Sequence, residues 1–322
     1  MSERQITSLQ TKRIGASLGA EVSGIDLAQP MDDGMFAAVE QALADHQLLI
    51  FRDQDITTEQ QKAFARRFGK LTVHPFAPSE SDAPELIIFD NDADNPPWGT
   101  DVWHSDETFR AAPPMGTMLR ALIVPEVGGD TMFTSMSAAF EGLSDRMQNF
   151  ISGLEAVHDF KPFRQLFSDD AEGRRSLREF EERYPPAIHP VVRLHPVSGK
   201  KVLFVNPQFT VAIKGMEESE SRALLDQLFR QAVVPEYQIR HQWRPNTLVF
   251  WDNRAVQHYA IHDYYPQRRR MERVTIKGDV PIGVSADQNE ASVKSQKSNR
   301  TAGDKAQHGA HKPLDVSETE GA

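Results

Sequence analysis

The chain has 322 residues, a net charge of −10, 39% hydrophobic and 25% charged residues, and no cysteine. That length and apolar content suit one large or two small globular domains with a buried core. The missing cysteines exclude disulfides, thiolate-bound zinc, iron–sulfur clusters and a cysteine nucleophile together, so any metal must be held by histidine, carboxylate and water. The acidic balance disfavours nucleic acid or an anionic membrane as partner. No apolar run approaches the length of a membrane span and the N-terminus has no signal-like core, so a cytoplasmic protein is expected.

Gly15 to Leu27 mixes glycines with alternating apolar residues, the pattern of short strands joined by turns. Met31 to Gln47 has Phe36, Val39, Leu43 and Ala44 at helical spacing, with Asp33 placed to cap the helix. Leu48-Leu49-Ile50-Phe51 reads as a strand buried on both faces. Thr57 followed by Gln60 is a capping box opening a helix that ends at Gly69. Leu86 to Phe89 is a second buried strand, and an Asp/Asn/Pro-rich loop at 90–99 leads out of it. Further strands are expected over Met115 to Val124, from Thr131 after the break at Gly128-Gly129-Asp130, and over 188–194, 202–205, 237–243, 247–251 and 271–277. Helices are expected over Ser137 to Met147, Glu172 to Arg183 and Glu217 to Val233, with 161–186 a charged excursion over the surface.

Many short strands with helices between them, and no regular βαβ alternation, predict a β-rich domain with helical insertions, a distorted jelly roll (double-stranded β-helix) over 1–284. No Gly-x-Gly-x-x-Gly supports nucleotide binding. From about Ser285 the chain has hardly any large apolar residue, and a disordered tail over 285–322 is expected because it cannot offset its ordering entropy.

The chemistry starts at Trp103-His104-Ser105-Asp106. In a strand, alternation puts His104 and Asp106 on one face, where they supply two thirds of a 2-His-1-carboxylate triad for non-haem Fe(II). Among the remaining histidines, His258 stands out: it follows an apolar strand and a polar turn, and Arg269 and Arg273 come eleven and fifteen residues later. Those two guanidinium groups fall on one face of a strand and suit anions such as carboxylates or sulfonates. His189 and His195, each before a proline, read as structural. His158 is equally a structural or a site-supporting residue, and His262 reads as surface.

This constellation resembles the taurine dioxygenase (taurine catabolism, TfdA-like) family. The likeness spans Gly15 to about Pro281 in nearly collinear segments, among them Phe51-Arg52-Asp53-Gln54, His74-Pro75, Gly128-Gly129-Asp130-Thr131, Trp251-Asp252-Asn253-Arg254 and Gln257-His258-Tyr259-Ala260. The resemblance implies a jelly roll in which His104, Asp106 and His258 hold Fe(II), while Thr131 and Arg269 take the far carboxylate of 2-oxoglutarate. Arg273 with His74 would bind the anionic head of a small organic substrate, beside aromatic walls at Phe160 and Phe209 and near Phe109. O2 is the second co-substrate, and a homo-oligomer (dimer or tetramer) is common in the family. The carboxylate at Asp106 favours hydroxylation over halogenation, because a halide would need its place on the metal.

The chain departs from the taurine enzymes where they carry a tyrosine three residues after the first pocket histidine (here Ala77) and an asparagine four residues before the first iron ligand (here Thr100). Those residues grip the ammonium end of a small sulfonate. A substrate with a larger or less polar second end is therefore expected: an aliphatic sulfonate, an alkyl sulfate or an aryloxyalkanoate. Hydroxylation beside the heteroatom would release sulfite, sulfate or phenol with a carbonyl product. Taurine itself, or a non-oxidative cupin-like metal module, is the alternative.

Overall fold

The computed structural model describes residues 9–75, 79–80 and 83–284. The expected tail at 285–322 lies outside the described residues. The largest sheet runs, in spatial order, β1 (Gln10–Arg13), β2 (Ala20–Ser23), β3 (Leu48–Phe51), β14 (Leu248–Asp252), β6 (Gly116–Ile123), β16 (Arg269–Ile276), β5 (Ala83–Asn91) and β4 (Ser79–Glu80). Its pairings are antiparallel except β2 with β3. A smaller sheet of β13 (Gln238–His241), β7 (Thr131–Ser135) and β15 (Val256–Ala260) lies across from it.

Alternation along the strands explains both layers. Leu49, Phe51, Met118, Leu248, Phe250 and Val274 pack on one face against Val39 and Leu43 of α1 (Asp33–His46) and Phe64 and Ala65 of α2 (Thr58–Phe68). Leu48, Ile50, Leu119, Val249, Trp251 and Met271 point the other way, against Phe133 and Val256 of the small sheet and Trp243 just beyond β13. The four residues of β3 are buried because helices cover one face of its sheet and a second sheet the other. The result is the expected jelly roll with helical insertions.

Local signals hold with small shifts. The capping box at Thr57 and Gln60 is complete. The cap of α1 is Asp32, not Asp33: Asp32 keeps extended backbone and its Oδ1 accepts from the Met35 N–H at 2.7 Å, while Asp33 is already helical. The helix expected over 137–147 is two, α3 (Met136–Glu141) and α4 (Asp145–Ile151). Gly142 separates them where the Tyr237 ring closes so tightly that a Cβ would overlap its hydroxyl, and Ser144 caps the second. The helix expected over 217–233 is α6 (Glu218–Phe229), continued by a 3-10 turn over Arg230–Val233.

A second pair of small sheets was only partly expected. β8 (Glu155–His158), β9 (Ala187–Pro190) and β12 (Thr210–Ile213) form one, and β10 (Val192–Leu194) with β11 (Lys201–Leu203) the other. The charged stretch over 161–186, which includes α5 (Ala171–Arg183), is more than a surface excursion. Its Phe163, Phe167, Leu177, Phe180 and Tyr184 pack as a cover over Phe109, Phe160 and Phe209. Among the described residues, no helix is long and apolar enough to cross a membrane.

Candidate active site

His104 sits on the link between β5 and β6 and forms one antiparallel bridge with His258 of β15. The backbone bonds run both ways, His104 N–H to His258 O at 3.1 Å and His258 N–H to His104 O at 2.8 Å. That bridge brings a loop residue and a strand residue face to face, with ring centroids 4.2 Å apart. Asp106 joins them by a different route from the strand alternation read in the sequence: the chain turns over 106–109, and the turn carries the carboxylate back. Asp106 Oδ1 lies 3.7 Å from His104 Nε2 and 3.8 Å from His258 Nε2, and one ligand atom from each residue lies within 4.8 Å of the others.

The protonation states suit a metal. His104 Nδ1 is 2.6 Å from the Val102 carbonyl, so it carries the proton and leaves the Nε2 lone pair facing Asp106. Burial pushes both imidazoles below the ordinary histidine value, so both are neutral at physiological pH. Burial opposes ionisation of Asp106, but Arg273, the two imidazoles and the Thr117 hydroxyl outweigh it and hold the carboxyl well below the usual range. Two neutral imidazoles and one carboxylate, converging from one side and buried, are the donor set of a facial triad and fit Fe(II).

A chain of hydrogen bonds sets the carboxylate angle. Trp251 Nε1 donates to Asn253 Oδ1 (2.9 Å), Asn253 Nδ2 to Thr117 Oγ1 (2.9 Å), and Thr117 Oγ1 to Asp106 Oδ2 (2.6 Å). Thr117→Val removes the last link at near-constant volume. We expect a roughly 10- to 100-fold loss of metal affinity, readable by competition with a chelator, while the fold is kept. Behind the turn, the Thr108 hydroxyl bonds His158 Nδ1 and Asn206 Nδ2, and His189 Nε2 bonds the carbonyls of Thr108 and Arg110. Both histidines thus brace the segment that carries Asp106.

Arg269 and Arg273 leave β16 on the same face, and both line one cavity of about 330 Å3 with the three triad residues. Arg269 is buried between the rings of Trp243 and Tyr264, and its Nε has no hydrogen-bond partner among the described residues. Burial lowers its affinity for the proton, against the support of Tyr264. A buried guanidinium with an unused N–H is a seat for a carboxylate. Thr131 lines the same cavity, and Trp243 Nε1 donates to its Oγ1 at 3.0 Å, which leaves the threonine proton to donate onward.

Arg273 Nη2 is 3.0 Å from Asp106 Oδ1 and 3.9 Å from Glu107 Oε1, close enough for attraction but off the N–H direction, so it makes no hydrogen bond. His74 faces the same point, with Nε2 4.0 Å from Glu107 Oε1. Burial, aided by Arg273, lowers His74 to about 3, so it is neutral at physiological pH and meets an anion as a hydrogen-bond donor. Glu107 is a residue the sequence reading missed. Alternation would turn it away from its neighbour Asp106, but its backbone has φ 49°, and its buried carboxylate joins the cavity wall.

The rest of the lining is largely apolar: Ile87, which faces Arg273 across the β5–β16 ladder, with Ile88, Phe89, Pro96, Pro97, Trp98, Phe163 and Leu166, beside the polar Asp90, Asn91, Asn95 and Gln208. Phe209 lines it too, whereas Phe109 and Phe160 stand behind, with Phe109 5.4 Å from the Phe209 ring and 6.3 Å from Phe160. Thr100 lines the cavity with its hydroxyl 2.9 Å from His262 Nε2, so His262 is a cavity residue and not a surface one. Its position next to Asp263 on a loop concealed this. Ala77 lies outside the described residues.

The comparisons agree with this geometry. The family model described as "Taurine catabolism dioxygenase TauD, TfdA family" matches residues 6–275. An alkylsulfatase of Acinetobacter baylyi is 36% identical over 282 residues, 85% of this chain and 87% of that one. An alpha-ketoglutarate-dependent (2-oxoglutarate-dependent) sulfate ester dioxygenase of Pseudomonas putida is 32% identical, over 86% of this chain and 92% of that one. The crystal structure of a taurine dioxygenase from Burkholderia xenovorans superposes with a TM-score of 0.74 at 34% identity, covering 86% of this chain and 91% of that one.

Proposed function

We propose, from the premise that the chain belongs to the TauD, TfdA family and is an Fe(II)- and 2-oxoglutarate-dependent dioxygenase, that its substrate is an organic sulfate or sulfonate with an apolar tail. The observation that carries this reading is the lining of one cavity. Arg273 and His74 share its wall with the triad, and the apolar Ile88, Phe89, Pro97, Trp98, Phe163 and Leu166 line it as well, with Trp98 and Leu166 half exposed at its mouth. Thr100, which could have gripped a polar second end, is instead bonded to His262. Apolar side chains favour an alkyl or aryl group there, at about 25 cal/mol per Å2 of apolar surface buried.

The residues have separable tasks in this reading. His104, Asp106 and His258 hold the iron. Arg269 and the Thr131 hydroxyl bind the far carboxylate of 2-oxoglutarate. Arg273 and His74 hold the sulfate or sulfonate so that the C–H beside the heteroatom faces the metal, and the aromatic cover keeps water out. Bound iron, 2-oxoglutarate and O2 supply the oxidation: 2-oxoglutarate becomes succinate and CO2, and one oxygen atom enters the C–H bond. An alkyl sulfate hydroxylated on that carbon breaks its C–O bond to leave an aldehyde, sulfate and a proton. A sulfonate leaves an aldehyde and sulfite. We assign this machinery to a domain over residues 1–284.

The test is substrate-dependent succinate formation with hexyl sulfate, hexanesulfonate, an aryloxyacetate and taurine. The hexyl compounds are expected to drive succinate release, with matching sulfate or sulfite, at least about tenfold better than taurine, which cannot fill the apolar mouth. Taurine outperforming them would overturn the reading.

A further inference from the structure

Glu107 has no place in the division of labour above, yet it is buried in the cavity wall beside the anion end. Its Oε2 accepts from Arg110 Nε at 2.5 Å, and Arg110 is itself held by a bond from Nη2 to the Val73 carbonyl at 3.0 Å and by the Tyr184 ring. The other oxygen, Oε1, has no hydrogen-bond partner among the described residues. It stands 3.9 Å from Arg273 Nη2 and 4.0 Å from His74 Nε2. A buried carboxylate oxygen without a donor is costly, and here it borders the very groups that would receive the substrate's head.

The charges around that point are few. Arg273 and Arg110 are cations and His74 is neutral; burial raises the Glu107 carboxyl above its usual range, but its close pairing with Arg110 marks it as the anionic half of an ion pair. Asp106 stands nearer Arg273, at 3.0 Å, but its charge would be taken up by the metal it ligates, so it is set aside in the balance that follows. With Glu107 present, the anion end has one uncompensated positive charge; without it there would be two. A head group with one negative charge is matched. One with two negative charges meets the Glu107 carboxylate at close range in a poorly solvated site, where like charges repel strongly.

We infer that Glu107 is a specificity-determining residue that restricts the site to singly charged head groups, such as sulfate monoesters and sulfonates, and rejects doubly charged ones of the same shape, such as phosphate monoesters. The inference rests on the reading of Arg273 and His74 as the anion site. It differs from that reading in that Arg273 supplies attraction to any anion, whereas Glu107 supplies the discrimination.

Hexyl sulfate and hexyl phosphate test it, being close in shape but different in charge once the phosphate loses its second proton near about pH 6. Binding is measured by calorimetry on the full chain loaded with Mn(II) and 2-oxoglutarate without O2. At about pH 8 the wild type is expected to bind the sulfate at least about tenfold more tightly than the phosphate. Glu107→Gln should remove most of that preference, and Glu107→Asp, which keeps the charge, should retain it. In the wild type alone, the sulfate preference should grow as the pH rises from about 5 to 8 and the phosphate ionises. Equal affinity of the wild type for both esters at the upper pH, or an unchanged preference in Glu107→Gln, would overturn the inference. Failure of the wild type to bind either ester would instead remove the Arg273 anion site and the inference with it.

Discussion

Asp106→Ala is expected to leave less than about one-hundredth of wild-type turnover, the largest loss of any single change considered. Altering a residue that merely supports a metal ligand costs about 10- to 100-fold, and deleting the only carboxylate of a three-ligand set should exceed that. The reason lies in the charge of the set. His104 and His258 are neutral, so Asp106 is the sole protein ligand that offsets the cation's charge. The measurement is the weak visible band formed when Fe(II) and 2-oxoglutarate are added without air, followed by succinate release in air. The variant should show neither. A variant that kept the band at wild-type iron concentrations would remove Asp106 from the metal site. Because Arg273 also rests on Asp106, at 3.0 Å, part of the loss should appear as looser substrate binding.

The second large effect is a split between the two arginines of β16. Arg269→Ala should raise the KM for 2-oxoglutarate by about 10- to 100-fold and leave substrate affinity nearly as it was. Arg273→Ala should do the reverse. A charge-assisted hydrogen bond contributes about 1.5–3 kcal/mol, which sets that range. Both side chains are buried in the same cavity wall, so general damage to the pocket would raise both constants together in each variant. Steady-state kinetics with each substrate varied in turn distinguishes the two outcomes. Parallel rises would assign the arginines to structure and not to separate anions.

How far the site could be read from the chain depended on whether each feature was local. The capping box at Thr57, the doubly buried β3, His104-x-Asp106 and the arginine spacing on β16 are patterns of near neighbours, and each survives in the structure. Even so, His104 and Asp106 meet through a turn and a single bridge, so the right pair was found by the wrong geometry. Glu107 was hidden for the same reason: a left-handed residue reverses the facing that alternation predicts. His262 and the aromatic cover over 161–186 depend on contacts across more than a hundred residues or on burial under a charged exterior. Charge dominates the composition of that cover, while Phe163, Phe167, Phe180 and Tyr184 decide its role.

One strand also acts as a ruler. Arg269 and Arg273 are four residues apart on β16, and an extended strand advances about 3.3 Å per residue, so their Cα atoms are roughly 13 Å apart. The Cα spacing is set by backbone pitch and held by an unbroken register with β5 from Arg269 to Val274, while the pairing with β6 shifts register between Arg270 and Met271. In the proposed roles of the two arginines, anions seated at those rungs would be gauged against each other, and the carbon presented to the metal would lie a nearly constant step from the substrate's charge. Widening the mouth near Trp98 or Phe163 would admit bulkier tails without changing which carbon is reached. Altering the carbon attacked would require moving the guanidinium by a whole rung, two residues or about 6.6 Å, to position 275, where Thr275 now stands.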